Sequence, residues 1–560
     1  MVDKERKEDP RLAAWKTRIS HVVYDWIDKS TSKISFTVQG KPVTTKAISN
    51  YVSPFEWRYV DPVINTIFSN AATYQLLLDA EGAMAQSQAD VGMIPHQDAD
   101  RIASLTLDDA PPEKVWYIEE TDTLHDVNAL IKSIQEGLQA KFGEQSKFIH
   151  YGATSFDVRD NAELKQAKWA TLRIRELASD FAIKIQDFTK NLYEKGAFVE
   201  KDKEGKEIYL QDPIIAGRTH GQYALPIPLS HRFVTKYLKP MVDQIEQLDA
   251  FIPQIKGKGI KGAVGTAASF VRIVEKDIEH NTEKLESYRS NLLEHQKLFT
   301  PQQLEDIQKA DRHQIAIFTY QAMEKLFEGR FGLESEPITC QTTNRITYAE
   351  LGHRLKMLCV PVAQLADDLW LSQMLGLMYE KRSKAGSSAM PQKRNPQDSE
   401  NILGSNLFFT EIGGAYINSL THFERHLSDS AFNRIYVPLM YQLCGHILSR
   451  GAKIVGNMEV SAKGIKADLD QGRRMMAGEA MKYELVATGY TSLDAHKLVS
   501  DSYNLPKEEV MQKGIGSLSW QDINTITTDM ENYIGISPVV VKDQLGLLGS
   551  RLVKISTFIY

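Results

Sequence analysis

The chain has 560 residues, of which 25% are charged and 42% are hydrophobic, and its formal net charge is -6. This length allows about two to four domains, and the charge argues against a general nucleic-acid-binding protein, which carries a basic excess. Its three cysteines are too few for a disulfide scaffold or a Cys-rich zinc module. The charged N-terminus does not resemble a signal peptide, and no apolar run approaches the roughly 20 residues that span a bilayer. We therefore expect a soluble, cytoplasmic protein with neither a nucleic-acid nor a membrane partner.

The first 50 residues read as an extension, in which the alternating segment 36–48 weakly indicates a hairpin. From Tyr59 onward the helical period dominates. Its clearest case is an apolar stripe stepping by three and four residues: Ala170, Ile174, Leu177, Phe181, Ile185, Phe188 and Leu192. This narrow stripe predicts a long helix that needs partner helices.

Further helices are predicted within 228–255, 270–295, 346–378, 400–420 and most of the last 100 residues, and an exposed hairpin within 198–210. The fold class is therefore all-α, with a central long-helix bundle flanked by two smaller helical domains. The expected segments are an N-terminal extension, an N-terminal helical domain, a central bundle and a C-terminal helical domain, at residues 1–50, 51–153, 154–460 and 461–560.

The segment 381–401, KRSKAGSSAMPQKRNPQDSEN, is the most informative polar stretch. Gly386 and the two following serines suit a mobile loop, and Pro391 and Pro396 prevent a regular helix. Five lysines and arginines make the segment cationic. A hydroxyl-bearing loop beside cations suits the binding and deprotonation of a polyanion. The alternative is a solvated basic loop.

Three more segments combine hydroxyl, imidazole and charged groups. Thr154 and Ser155 precede a helical run, where they either face an anion or form a plain N-cap. His220 lies in a predicted loop among Arg, Thr, Gly and Gln, which favours a functional histidine over a structural one. His125 is followed by Asp126 and is either a catalytic imidazole or a helix cap.

The segments 341–345 and 423–434 complete the set, and the second suits phosphate binding through arginines, with a surface salt-bridge pattern as the alternative. Two patterns are interpreted as decoys. The glycines at 257, 259 and 262 match a dinucleotide fingerprint but lack a preceding strand. His422 and His426 are four residues apart but lack the glutamate of a metalloprotease motif, so no metal site is expected.

These segments, in this order, resemble those of the fumarase/aspartase superfamily. GSSAMPQKRNP at 386–396 matches the superfamily signature GSSxMPxKxNP at every fixed position. YGATSFDVRDNA at 151–162 and GRTHGQYALP at 217–226 resemble its other two shared regions. The resemblance covers roughly residues 55 to 500, and it implies a fumarase/aspartase-like fold.

Three segments resemble the adenylosuccinate lyase family in particular: RYVDPVINTIFS from Arg58, LHDVNAL from Leu124 and ERHLSDSAFNR from Glu424. The resemblance implies a carbon–nitrogen lyase that eliminates fumarate from adenylosuccinate, giving AMP, and from the related succinyl-carboxamide ribotide of purine synthesis. It also implies a nucleotide substrate, no metal or organic cofactor, and a homotetramer whose sites each draw on three chains.

By the family pattern Ser387 is the catalytic base and His220 the general acid, while Lys393 and Asn395 hold the substrate carboxylate. Residue chemistry alone nominates His220, His125 or His150 as the base, and Ser388 is the alternative serine. Glu400 is a candidate partner of the acid histidine. The phosphate ligands implied are Arg425, Ser430 and Arg434. The other expected substrate-binding residues are Arg58, Tyr59, His125, Asp126, His150, Thr154, Ser155, Thr219, Gln341, Arg345, Ser388 and Met390.

Two alternatives stay open. Another superfamily lyase, such as argininosuccinate lyase, acts on a substrate without phosphate, so the arginine-containing segment 423–434 argues against it. A catalytically silent structural relative, like the lens crystallins of this superfamily, would not need Ser387, Lys393, Asn395 and His220 to be intact.

Overall fold

The computed structural model describes residues 33–38, 41–46, 55, 57–201, 207–381, 390, 393, 395–419, 422 and 426–557. Helices dominate these residues, which confirms the predicted all-α class. The chain divides into two compact units. The first unit contains Met1–Ile174, Asp249–His353 and Glu411–Gly445, and the second unit contains Arg175–Leu248, Arg354–Thr410 and His446–Tyr560. The four consecutive segments expected from the sequence stay a prediction.

Six α-helices lie between residues 62 and 194, a range that the structure describes throughout. They are α1 (Pro62–Ile67), α2 (Asn70–Asp90), α3 (His96–Ala103), α4 (Pro112–Ile118), α5 (Asp126–Phe142) and α6 (Ser155–Glu194). A π-helical turn, Glu119–Thr123, follows α4. Side-chain caps start several of these helices: Asp61 accepts from the Val63 and Ile64 amides, and Ser69 accepts from the Ala72 amide.

The strands within the described residues form four two-stranded antiparallel sheets. They are β1 (Lys33–Val38) with β2 (Lys41–Lys46), β3 (Ala197–Lys201) with β4 (Glu207–Leu210), β5 (Ile214–Thr219) with β6 (Gln222–Pro228), and β7 (Met378–Glu380) with β8 (Met458–Val460). The first two pairs confirm the predicted hairpins. The third corrects the prediction for residues 217–228, which form a hairpin rather than a loop.

The remaining helices lie between residues 229 and 557. They are α7 (Leu229–Phe233), α8 (Lys239–Phe251), α9 (Ala268–His280), α10 (Lys284–Glu294), α11 (Pro301–Lys309), α12 (Arg312–Phe331), α13 (Ile346–Leu375), α14 (Gln397–Ser419), α15 (Leu427–Asn457), α16 (Ala462–Met476), α17 (Gly478–Ala487), α18 (Ser492–Ser502), α19 (Lys507–Lys513), α20 (Trp520–Thr528) and α21 (Ser537–Thr557). A π-helical turn, Val234–Leu238, joins α7 to α8. None of the described helices combines the length and apolar character that crossing a bilayer requires.

The apolar stripe that predicted a long helix lies in α6, a helix of 40 residues. Six of its seven members are buried, which confirms that prediction. In the first unit α2 packs against both α3 and α12. Gly82 permits the first of these contacts, because a Cβ at that position would lie 2.9 Å from the Ala103 Cα. In the second unit β5 and β6 pack against α16.

A fully buried ion pair anchors the start of α6. The Lys258 ammonium donates to Asp157 Oδ1, and both side chains are 0% exposed. The same carboxylate accepts from the Lys261 amide at 3.0 Å, and its other oxygen accepts from the Thr154 amide at 2.8 Å. The turn at 257–262, which only formally resembles a dinucleotide fingerprint, thus directs backbone N–H groups at a carboxylate of its own chain.

We expect Asp157→Ala to destabilise the first unit by about 3–5 kcal/mol, because it leaves the Lys258 charge buried without a counter-ion. Thermal and urea unfolding of the full chain measure this loss. The matched control is Asp180→Ala, which removes a half-buried pair with Lys184 at 2.7 Å. That pair should contribute no more than about 0.5 kcal/mol. Equal effects of the two substitutions would contradict the role given to Asp157.

Candidate functional site

The candidate residues from the sequence fall into both units. Those in the described part of the first unit are Arg58, Tyr59, His125, Asp126, His150, Thr154, Ser155, Gln341, Arg345, Ser430 and Arg434. Those in the described part of the second unit are Thr219, His220, Met390, Lys393, Asn395 and Glu400. Ser387, Ser388 and Arg425 lie outside the described residues.

His125 is the N-cap of α5, the second of the two roles considered for it. Its Nδ1 accepts from the Asn128 amide at 3.4 Å. The π-helical turn ends just before it, and Leu124 adopts a left-handed conformation with φ 51°. Left-handed geometry is rare for a bulky residue, and both it and π-turns occur often at functional sites. The imidazole is 45% exposed and so remains accessible to a ligand.

Asp126, the first residue of α5, binds two arginines that are far apart in sequence. Arg434 Nη2 donates to Asp126 Oδ2 at 2.5 Å, and Arg159 Nη2 donates to the same oxygen. Burial alone would raise the pKa of Asp126, but the two guanidinium groups outweigh it and lower that pKa. Asp126 is therefore a carboxylate at neutral pH. Ser430 and Arg434 both lie in the first turns of α15, four residues apart.

His150 is held in place by a buried carboxylate. Its Nδ1 lies 2.6 Å from Glu81 Oε1, and its amide donates to Glu81 Oε2 at 3.1 Å. The backbone at His150 is left-handed, with φ 55°. Burial lowers the pKa of His150, whereas the charge and hydrogen bond of Glu81 raise it. The effect of Glu81 is the larger, so the pKa of His150 lies above its ordinary value. No local sequence pattern indicates this pair, because the partners are 69 residues apart.

A second carboxylate of α6 holds the segment 341–345. Arg345 Nη1 lies 2.8 Å from Asp160 Oδ1, and the Thr343 amide donates to Asp160 Oδ2 at 2.7 Å. Gln341 lies at the half-buried start of this segment. Thr154 and Ser155 stand at the N-terminus of α6, where the anion present is the Asp157 carboxylate. A role of Thr154 and Ser155 in substrate binding stays a prediction.

The Arg58–Tyr59 pair precedes α1. The Arg58 guanidinium lies over the Trp57 ring, 4.4 Å from its centroid, and Tyr59 packs near Phe55 with ring centroids 6.1 Å apart. Arg58 is exposed and Tyr59 is half-buried. A guanidinium on an aromatic face keeps its charge available to a ligand.

His220 occupies the tip of the β5–β6 hairpin. Thr219 pairs with Gln222, so His220 and Gly221 form a two-residue turn, with φ angles of 53° and 75°. Two positive φ angles are typical of a type I′ turn, in which glycine is strongly favoured. The prediction of a loop was wrong because the two prolines and the polar tip mask the alternation of the strands. The imidazole is exposed to solvent.

The hairpin is braced by a carboxylate that the sequence did not single out. Arg218 binds Asp468 of α16 with both guanidinium arms, with Nη1 3.0 Å from Oδ2. The Tyr223 hydroxyl donates to Asp468 Oδ1 at 3.0 Å, and the Arg218 guanidinium lies 4.4 Å from the Tyr223 ring centroid. Bidentate pairing and ring contact restrict the hairpin's orientation, and with it that of His220.

The described residues of the signature segment 386–396 have backbone hydrogen bonds, one of them to the first residue of α14. The Lys393 amide donates to the Met390 carbonyl at 3.0 Å, and the Gln397 amide donates to the Asn395 carbonyl at 2.9 Å. Glu400 accepts from Trp370 Nε1 at 3.4 Å. Within the described part of one chain, Glu400 does not pair with His220. Lys393 is exposed, as a residue that meets a ligand should be.

The described residues contain no group of three or more His, Cys, Asp or Glu side chains placed to hold a metal ion. His422 and His426 stack with ring centroids 4.6 Å apart. His422 Nδ1 lies 2.8 Å from Asp429 Oδ1. His422 therefore contacts a carboxylate of α15 as well as the His426 ring.

Comparison with known proteins matches this chain to a family described as Lyase, over residues 58–323 and 313–407. The adenylosuccinate lyase of Pyrococcus abyssi is 26% identical over 513 residues, covering 88% of this chain and 97% of that protein. The adenylosuccinate lyase of Bacillus subtilis is 27% identical over 452 residues, covering 79% of this chain and 86% of that protein.

Solved structures share the fold. The 3-carboxy-cis,cis-muconate lactonizing enzyme of Pseudomonas putida superposes with a TM-score of 0.67 at 18% identity, covering 90% of this chain and 99% of that one. A fumarate lyase from Mesorhizobium sp. BNC1 gives 0.65 at 19% identity, covering 87% and 98%. The predicted fumarase/aspartase-like fold class is confirmed.

The Glu81–His150 pair predicts a pH-dependent stability. The pKa of His150 in the folded chain lies above its ordinary value of about 6.5. The pair's stabilisation is therefore fully present below that ordinary value and is lost as pH rises through the raised pKa. We expect Glu81→Gln to cost about 1.5–3 kcal/mol near pH ~6 and clearly less near pH ~9.

Thermal unfolding of the full chain at both pH values measures this difference. Glu305→Gln, a change at an exposed glutamate of α11, serves as the control and should show no such difference. A loss that is equal at both pH values would show that the charge on His150 does not contribute.

Proposed function

Because this chain belongs to the lyase family that its sequence matches over residues 58–407, we propose that it is an adenylosuccinate lyase. It would release fumarate from adenylosuccinate, giving AMP, and from the related succinyl-carboxamide ribotide of purine synthesis. Relatives named adenylosuccinate lyase that align with 88% and 79% of the chain support this choice. The structural observation that carries this proposal is the position of the half-exposed Arg434. Its guanidinium binds Asp126, the residue that follows His125 in the chain.

The reaction places three demands on the site. A base removes a proton from the carbon next to a carboxylate, donors stabilise the doubly charged aci-carboxylate, and an acid protonates the departing nitrogen. In our proposal Ser387 is the base and Ser388 the alternative. Lys393 and Asn395 hold the carboxylate. An unperturbed serine hydroxyl is a very weak base, so its alkoxide needs the Lys393 charge and nearby N–H groups.

His220 is the proposed general acid. Its position supports this role, because the imidazole is exposed at the tip of a hairpin whose left-handed turn is braced by Asp468. A strained, accessible histidine on a rigid support is the kind of group that a site retains for chemistry. His125 and His150 are proposed to orient the substrate.

We further propose a homotetramer whose sites are shared between chains. Within one chain Glu400 binds Trp370 rather than His220, so a Glu400–His220 pair requires a second chain. Part of α14 in the second unit is exposed: Leu407 is 66% and Phe408 44% exposed, and a Cβ at Gly404 would meet open space. An exposed face of apolar and small residues on a long helix suits packing against helices of other copies.

The cytoplasm is the proposed compartment. Cys340, Cys359 and Cys444 all lie in the described residues, and none of them forms a disulfide. Cysteines that are not oxidised to disulfides fit a reducing environment.

Fumarate release measured spectrophotometrically with adenylosuccinate and with argininosuccinate tests the activity. We expect turnover of the first and none of the second, because argininosuccinate has no phosphate for Arg434. Ser387→Ala should abolish turnover and leave KM nearly unchanged, since a base acts mainly in the transition state. Turnover of argininosuccinate alone would identify a different lyase. A normal kcat in Ser387→Ala would assign the role of the base to Ser388 instead.

Complementation tests the shared site. His220→Ala and Ser387→Ala should each be inactive alone. When the two variants are dissociated, mixed in equal amounts and reassociated, roughly a quarter of the sites should be intact if the two residues come from different chains. No recovery in verified hybrid tetramers would mean that both residues come from one chain.

A further inference from the structure

Two arginines share one carboxylate oxygen at the start of α5. Arg159 Nη2 and Arg434 Nη2 both donate to Asp126 Oδ2. The exposed fractions of the two side chains differ: Arg159 is 9% exposed and Arg434 is 48% exposed. A single carboxylate therefore connects an arginine that a ligand reaches from solvent to an arginine buried behind it.

A cavity of about 230 Å³ adjoins both guanidinium groups. The residues of its wall that matter here are Tyr74, Arg159, Glu163, Tyr348, Asn433 and Arg434. Since one water occupies about 30 Å³ in the liquid, the space suits a small oxyanion or several waters.

Hydrogen-bond donors without partners lie along this wall. Among the described residues, Arg159 Nε, the Tyr348 hydroxyl and Asn433 Nδ2 are buried and have no hydrogen-bond partner. Burial raises the pKa of Tyr348 well above its ordinary value, so the hydroxyl keeps its proton. Unpaired buried donors are rare in proteins, and these three belong to residues of the cavity wall.

Glu163 is the carboxyl group on the wall, 3.3 Å from Arg159 Nη1. Burial raises the pKa of Glu163 more than the nearby Arg159 charge lowers it. A carboxyl group that takes up a proton more readily than usual repels an entering anion less. The wall therefore combines two permanent cations, neutral donors and one weakened acid.

We propose that Arg159 is a second arginine contact for the substrate's phosphate, and that the Asp126 carboxylate takes the phosphate's place on both arginines while the site is empty. This rests on the proposed function, because it assigns a new residue to the phosphomonoester end of that substrate. A phosphate dianion has three acceptor oxygens and more charge than a carboxylate, so it can replace Asp126 at both Nη2 groups. Asp126 then acts as an internal competitor.

Calorimetric titration of the full chain with inorganic phosphate tests this assignment. Arg159→Gln should raise the Kd for phosphate about tenfold or more, because it removes a charge-assisted donor. Asp126→Asn should lower that Kd by about tenfold, since the two arginines lose their competing carboxylate. Arg434→Ala, the contact that the proposed function already assigns, should raise the Kd in the same way as Arg159→Gln.

The matched control is the Arg330–Asp90 pair of the first unit, with Nη2 2.7 Å from Oδ2 and exposed fractions of 32% and 18%. Arg330→Gln and Asp90→Asn should leave the Kd for phosphate within about twofold of the parent. If Arg159→Gln does not fold, Arg159→Lys keeps the charge without the two-armed geometry and should still raise the Kd. Thermal unfolding verifies that each variant compared is folded.

The outcomes separate this inference from the proposed function. The inference is wrong if Arg159→Gln leaves the Kd for phosphate unchanged, or if Asp126→Asn raises that Kd. Either result would overturn it even if the parent turns over adenylosuccinate. Absence of phosphate binding in the parent at tens of millimolar would overturn it as well. Conversely, the expected pattern of Kd values without fumarate release would retain the anion site and reject the proposed activity.

Discussion

The buried carboxylate of Asp157 is the constraint on which the described part of the first unit depends. A fully buried carboxylate is tolerable only with a counter-charge and hydrogen bonds, and Lys258 and the amides of Thr154, Lys261 and Gly262 supply them. One turn later Asp160 binds Thr343 and Arg345 in a similar way. The first turns of α6 thus fix two segments that are more than 90 residues away along the chain.

Several charged candidate residues of that unit are likewise paired with a side chain of opposite charge. His150 is paired with Glu81, Arg345 with Asp160, and Arg434 with Asp126. Such pairing holds the side chains in defined positions before any substrate arrives, so little conformational entropy remains to be lost on binding. A charged substrate that binds one of these side chains must therefore replace its present counter-ion. His220 in the second unit differs, since its exposed imidazole depends on backbone geometry and on the Arg218–Asp468 brace.

The sequence predicted the regular features well where a periodic pattern carried them. The stripe from Ala170 to Leu192 predicted α6, because burial on one face of a helix leaves a 3.6-residue period. Segments dense in glycine and polar residues led to His125, His220 and Arg434. Arg159, Glu81 and Asp468 were missed, since their partners lie 33, 69 and 250 residues away and no local pattern records such contacts. Ser387 and Arg425 stay predictions from family resemblance.

The π-helical turn before His125 has a consequence for how this segment tolerates changes in length. Its Leu124 amide bonds to the Glu119 carbonyl at 2.9 Å, a step of five residues where an α-helix uses four. In an α-helix each residue advances the chain by about 100° around the axis, so deleting one would rotate everything that follows by that angle. A π-turn absorbs the additional residue within a single loop of backbone. Deleting one residue from the segment 119–123 would therefore restore the four-residue hydrogen-bond step of an α-helix at this turn.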